Sequence, residues 1–247
     1  MIPIKSEQDL EMLRAAGSIL AGIIRELRQS VKPGITTAEI DKLAQTLMES
    51  RNVIPAFKGY KGYPACVCTS VNEEIVHGIP SDRRLKEGDI LSLDVGIDHN
   101  GYFSDSAVTL PIGRISAKAK KLIDVTRDAL NEGIKKAKPG NNLSDVSCAV
   151  QVFVESHGFS VVREFVGHGI GKSLHEEPEI PNYGLPGKGP VLKKGMVLAI
   201  EPMVNAGAWR CRILENQWTA VTQDGELSAH FEHTVALTDK GAEILTR

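Results

Sequence analysis

Five side chains in this sequence have the types and settings of metal ligands rather than of surface groups. Asp94 follows the apolar run Ile90-Leu91-Ser92-Leu93, and Asp105 lies in a second extended run over 102–110. Glu201 ends Val197-Leu198-Ala199-Ile200-Glu201, and Glu232 sits in Phe231-Glu232-His233-Thr234-Val235. His168 has glycine on both sides in Val166-Gly167-His168-Gly169-Ile170-Gly171, which lets the backbone approach closely and leaves the imidazole unobstructed. Taken singly, a strand acid is more often solvated and a lone histidine more often a satisfied core group. Taken together, two Asp, two Glu and one His are a donor set suited to two adjacent divalent metals with a bridging oxygen.

Two of these acids fall on one hairpin. The pattern predicts a strand over 89–97, a four-residue turn Asp98-His99-Asn100-Gly101, and a second strand over 102–110, with Asn-Gly as the turn signal. If Ile97 pairs with Tyr102, paired residue numbers sum to 199, and Asp94 faces Asp105 directly. Opposed residues have Cβ atoms roughly 4.5 to 5.5 Å apart, where two like charges destabilise a sheet. A shared proton would relieve the repulsion, as would a divalent metal. A register slipped by one residue would instead send one Asp to solvent.

The elements that carry these groups recur along the chain. Lys32-Pro33-Gly34 returns as Lys138-Pro139-Gly140 at an offset of 106, and Leu85-Lys86-Glu87-Gly88 returns as Leu192-Lys193-Lys194-Gly195 at an offset of 107. The second match runs on to Asp94 in one copy and Glu201 in the other, each read as closing an apolar strand. Before each Lys-Pro-Gly lies a helical pattern. The first starts at the capping-box signal Ser6-x-x-Asp9, with Leu10, Leu13, Leu20 and Leu27 on one stripe; the second starts near Ser116, with Leu122, Val125, Ala129 and Leu130. After each Lys-Pro-Gly another helix follows, through Ile40, Leu43, Ala44, Leu47 and Met48, or through Leu143, Val146, Val150, Phe153 and Val154. Two offsets agreeing within one residue predict an internal duplication, with halves of roughly 1–113 and 114–247 forming one catalytic domain over 1–247.

At 247 residues, and with roughly 150 residues per domain as a guide, the chain is one large domain or two small halves. Its 29 Lys+Arg against 31 Asp+Glu exclude a strongly basic nucleic-acid binder, and 42% hydrophobic content excludes a disordered chain. No apolar stretch approaches the roughly 20 residues of a membrane span, and the start lacks a signal-peptide core, so a cytoplasmic protein is expected. The four cysteines lack zinc spacing and are read as reduced thiols, including Cys66 and Cys68.

On its motifs the chain resembles the type I methionine aminopeptidases along essentially its whole length. They are Tyr60-Lys61-Gly62-Tyr63-Pro64, Asn72-Glu73-Glu74-Ile75-Val76-His77-Gly78-Ile79-Pro80, the Asp94 and Asp105 pair, Gly167-His168-Gly169-Ile170-Gly171, His175-Glu176-Glu177-Pro178, Ile200-Glu201-Pro202-Met203-Val204 and Glu232-His233-Thr234. The resemblance implies an α/β (α+β) pseudo-twofold pita-bread fold, a curved antiparallel sheet with two helix pairs. It implies two divalent metal ions per chain (Co²⁺, Mn²⁺, Fe²⁺ or Zn²⁺), held by Asp94, Asp105, His168, Glu201 and Glu232. It implies release of the N-terminal methionine of nascent polypeptides when the second residue is small, by attack of a metal-bridging water or hydroxide on the first peptide bond. Glu201 would shuttle the proton, His175 would hold the scissile carbonyl and His77 the peptide nitrogen. Tyr60, Tyr63, Cys68 and Trp218 would line the methionine pocket. Phe57 and Leu174 replace the Cys and Phe of many bacterial relatives, so a different pocket shape is expected. The implied protein is a monomer in transient contact with the ribosome, with no membrane or specific nucleic-acid partner. The alternatives are an Xaa-Pro aminopeptidase or dipeptidase of the same superfamily, and a non-catalytic binding module of the same fold.

Overall fold

The computed structural model describes all 247 residues. Four helices lie in two sequential pairs: α1 (Glu7–Ser30) with α2 (Thr37–Ser50), and α3 (Ala117–Lys136) with α4 (Leu143–Ser156). Their starts are set locally. Ser6 Oγ accepts the Asp9 N–H at 3.1 Å while Asp9 accepts the Ser6 N–H at 3.0 Å, the capping box expected from the sequence. Thr36 and Glu39 repeat it on α2, and Ser116 accepts the Ala119 N–H on α3. The stripe Leu10, Leu13, Leu20 and Leu27 is buried, each leucine contributing roughly 1.5–3 kcal/mol by leaving water.

Every strand pairing is antiparallel. Around Ile90–His99 are gathered Ile54–Pro55, Val67–Val71 and Tyr102–Pro111, and this sheet packs under α1 and α2 through Leu20, Ile23, Ile40, Met48, Leu91 and Leu93. A five-stranded sheet runs Gly241–Ile244, His233–Thr238, Val197–Ile200, Val166–Gly169, Glu176–Pro181 and packs against α3 and α4 through Leu130, Ile134, Val146, Leu198 and Val235. The turns expected to repeat share their hydrogen bonds as well as their sequence. Gly34 N–H donates to Leu85 O at 2.7 Å and Gly140 N–H to Leu192 O at 2.9 Å, both glycines at positive φ (92° and 93°) where a side chain would be strained. Gly88 N–H donates to Ile112 O and Gly195 N–H to Leu237 O, each at 2.9 Å.

The two large sheets meet along a seam of buried hydroxyls. Thr234 Oγ1 donates to Asp105 O (2.8 Å) and accepts its N–H (3.1 Å). Ser106 Oγ donates to Glu232 O at 2.7 Å, Thr109 Oγ1 donates to His230 O at 2.8 Å, and Glu232 N–H donates to Ala107 O at 2.9 Å. These bonds bring Asp105 and Glu232 together from opposite sides of the chain.

The hairpin differs from expectation in its register. Its loop is only Asn100-Gly101, both at positive φ (55° and 81°), the two-residue turn whose twist matches the flanking strands. His99 pairs with Tyr102, Asp94 with Ala107 and Asp105 with Gly96, so Asp94 and Asp105 are diagonal neighbours rather than directly opposed. The shift is by two residues, and the side-chain period is two, so both acids stay on the same face. Nor does Asp94 close its strand; it lies in the middle of Ile90–His99. Glu201 follows the end of its own strand by one residue, and Glu232 precedes rather than occupies the His233–Thr238 strand.

Candidate metal centre

The five expected ligands converge. Asp105, His168 and Glu232 each place one donor atom within 4.8 Å of the others, and all three are buried. Glu201 Oε1 lies 3.5 Å from His168 Nε2, and Asp94 borders the same cavity. The glycines beside His168 are required by backbone contact: a Cβ on Gly167 would sit 2.5 Å from Ala199 O, and one on Gly169 2.1 Å from Glu177 O. His168 Nδ1 lies 2.9 Å from Gly169 O, so the ring donates there and keeps its Nε2 lone pair for the cluster.

The electrostatics of this cluster require a cation or protons. Burial, then the neighbouring carboxylates, hold Asp105, Glu201 and Glu232 well above the ordinary carboxylate range. Burial lifts Asp94 to about 7. Asp94 Oδ1, Asp105 Oδ1 and Glu232 Oε1 are buried with no hydrogen-bond partner, and an orphaned buried acceptor is costly. The imidazoles move the other way: burial, then His175, lowers His168 to about 4, so at neutral pH its ring is unprotonated and free to coordinate a cation. Four oxygen donors, one nitrogen and no thiolate suit hard or borderline divalent cations, and the orphaned oxygens are where such cations would be held.

Beside the acids is a cavity of about 210 Å³. Every residue expected there lines it: Tyr60, Tyr63, Cys68, His77, His175 and Trp218, together with Phe57 and Leu174. Tyr63 and Trp218 meet edge to face at 5.1 Å, with Tyr63 tethered to Gly78 O at 3.0 Å. His175 Nδ1 lies 2.8 Å from the Tyr60 hydroxyl, and its ring is 4.3 Å from that of His168. His77 stands at φ 59°, a strained backbone for a non-glycine residue, with its ring edge-on to Phe165 and Trp218. Burial, then His175, lowers His77 to about 4, and burial, then Lys61, lowers His175. Both are neutral at pH 7.

Three features were not read from the sequence. Lys61 lines the cavity. His230 is buried with both ring nitrogens unpartnered and its Nε2 3.7 Å from Glu201 Oε2; its place two residues before Glu232 in an extended run was the available signal. Gly96, opposite Asp105, makes room for Phe57: a Cβ there would sit 2.5 Å from Phe57 Cε1. All four cysteines are free, as expected, and burial pushes the Cys68 thiol up.

A fold whose two largest sheets join four carboxylates and a neutral imidazole in the wall of a cavity lined also by aromatic side chains defines a metallohydrolase-type site. The sequence profile of metallopeptidase family M24 matches residues 11–239, and the chain belongs to that family. Within it, the chain is 54% identical to methionine aminopeptidase 1 of Bacillus subtilis over 247 residues, all of both chains, and 54% identical to a methionine aminopeptidase of Clostridium acetobutylicum, covering 100% of this chain and 99% of that one. The crystal structure of methionine aminopeptidase from Thermotoga maritima superposes with a TM-score of 0.98 at 50% identity over the whole of both chains. A prolidase from Pyrococcus furiosus shares the fold, with a TM-score of 0.81 at 24% identity, and this chain spans 65% of it. No helix is long and apolar enough to cross a membrane.

Proposed function

We propose that this protein removes the N-terminal methionine of newly made polypeptides whose second residue is small, using two divalent metal ions held by Asp94, Asp105, His168, Glu201 and Glu232. The observation that carries this reading is the junction of orphaned carboxylate oxygens with a small aromatic-walled cavity. At about 210 Å³ the cavity has room for one side chain rather than an extended peptide, which suits an exopeptidase. Tyr60, Tyr63, Trp218 and Phe57 supply aromatic edges and Cys68 a thiol, surfaces on which a thioether packs well.

Divalent ions supply Lewis-acid polarisation of the carbonyl and a lowered pKa for water. The chain supplies the rest. Glu201, facing His168 on one oxygen and His230 on the other, takes the proton from the attacking water and passes it to the leaving amine. The Tyr60 hydroxyl, donating to His175 Nδ1, leaves Nε2–H as the donor to the scissile carbonyl oxygen as it gains charge. His77, fixed between Phe165 and Trp218, contacts the peptide nitrogen. Desolvation, with His175 beside His77 and Lys61 beside His175, disfavours protonation of both imidazoles. The proposed substrate implies a cytoplasmic monomer in transient contact with the ribosome. The chain acts as one domain, 1–247, of two halves, roughly 1–113 and 114–247, a reading supported by the matched turn hydrogen bonds.

The test is release of methionine from Met-Ala-Ser by metal-stripped and metal-restored protein, against an Ala-Pro peptide. Metal-dependent release of methionine is expected. Preferential cleavage of Ala-Pro would favour the proline-specific alternative, and no metal-dependent turnover would overturn the reading.

A further inference from the structure

The strands that carry the metal-site acids have a second face. Side chains alternate along the Tyr102–Pro111 strand, so Asp105 points to the acid cluster while Ser106 and Val108, joined by Phe231 from the segment just before the His233–Thr238 strand, floor a separate cleft of about 950 Å³ behind it. Its walls are α1, which contributes Arg25 and Arg28, and α3, which contributes Lys120, Asp124 and Arg127; Arg114 stands on the loop between. Arg247 also borders it.

The charge balance here departs from that of the whole molecule. Basic and acidic residues number 29 and 31 in the chain, yet six basic side chains border the cleft against the single acid Asp124. That acid is already shared, 2.6 Å from Lys120 and 2.9 Å from Arg127. Arg25, Arg28 and Arg114 make no ion pair or side-chain hydrogen bond within the protein, and all three are exposed. Three unpaired guanidiniums facing one concavity repel one another, and an anion removes that cost. Guanidinium forks match phosphate oxygens two at a time, which a chloride or a single carboxylate cannot exploit across several arginines. The volume is at the upper end of the range for small-molecule sites and too small for the width of a nucleic-acid duplex. The apolar floor of Val108, Ile123 and Phe231 gives a surface for a non-charged moiety beside the phosphates.

We propose that this cleft is a second ligand site, on the opposite face of the strands from the metals, for a small multiply charged phosphate-bearing anion of the size of a nucleoside polyphosphate.

Calorimetry on the metal-loaded full-length protein tests this, with inorganic tripolyphosphate and ATP as probes at low salt and fixed metal concentration. Saturable binding near one per chain is expected, weakening as salt rises. Tighter binding of ATP would identify a nucleotide, and equal binding a free polyphosphate; either supports the site. Arg25→Gln/Arg28→Gln/Arg114→Gln should lower affinity at least tenfold and leave metal-dependent peptide hydrolysis, assayed without polyanion, unchanged. Arg114→Gln alone, on a loop, serves if the triple variant folds poorly, with a severalfold loss. Lys118→Gln/Lys121→Gln, outside the cleft, should bind as the parent does. No binding at millimolar tripolyphosphate, or equal affinity in parent and triple variant, would overturn the proposal. So would binding of a single-stranded RNA oligonucleotide more tightly than either probe.

Discussion

Stripping the metal should invert how stability responds to pH near neutrality. In the metal-free protein, Asp94 is raised to about 7, and Asp105, Glu201 and Glu232 lie well above their ordinary value, each chiefly by burial. A carboxyl whose folded pKa is raised stabilises the fold while protonated, and that contribution is lost as pH rises through the folded pKa. The imidazoles act oppositely: desolvation lowers His77, His168 and His233 to about 4, so their contribution grows as pH rises through 6.5 and is complete by about pH 7.5. From pH 7.5 to 8.5 the imidazoles no longer change, and each proton held by a carboxyl of the folded state alone costs about 1.4 kcal/mol per pH unit. The metal-free protein should therefore lose about 1.4 kcal/mol of stability per retained proton across that window, about 3 kcal/mol if two are retained. Metal-loaded protein, whose acids have exchanged protons for cations, should be nearly flat. Urea unfolding at pH 7.5, 8.0 and 8.5, with chelator or with Mn²⁺, measures both slopes. A flat or rising curve for the stripped protein would refute the claim that these acids share protons when no cation is present.

Glu201→Gln should keep the fold and lower turnover by roughly 10²- to 10⁴-fold, read from methionine release; near-parent activity would remove it as the proton carrier. Asp105→Asn should stabilise the stripped protein at pH 8, by removing one of the repelling acids, and weaken metal binding in calorimetry; a less stable stripped variant would contradict the repulsion argument. Gly96→Ala would put a Cβ 2.5 Å from Phe57 Cε1, moving that ring into the aromatic-walled cavity at a cost of about 1–3 kcal/mol. Its signature is a raised KM for Met-Ala-Ser with metal affinity retained, and an unchanged KM would show that the ring moves elsewhere.

Much of the site was legible because its signals are local. An acid or imidazole inside an apolar run is conspicuous without coordinates, and Asp94, Asp105, His168, Glu201 and Glu232 were all read this way before they were seen to share one cavity. The helix caps at Ser6 and Thr36 and the paired glycine turns are likewise set by a few neighbouring residues. His230 and Lys61 were missed although each lies within two residues of a group already singled out, because neither stands in an arrangement that a single side chain makes unusual.

Local patterning alone determined which faces the acids occupy, since a strand alternates with a period of two and a register error of two residues leaves that alternation intact. Which residues oppose which was decided by the tight Asn100-Gly101 turn, whose backbone twist selects pairing two residues away from the expected one. Only the tertiary structure decided that Thr234 clasps Asp105 and that Ser106 and Thr109 bind the backbone of Glu232 and His230, across more than a hundred residues of chain. Such contacts depend on how two separately formed sheets meet, and no short window of sequence contains both partners. The same meeting creates the acid-lined cavity on one face of the strands and the arginine-lined cleft on the other.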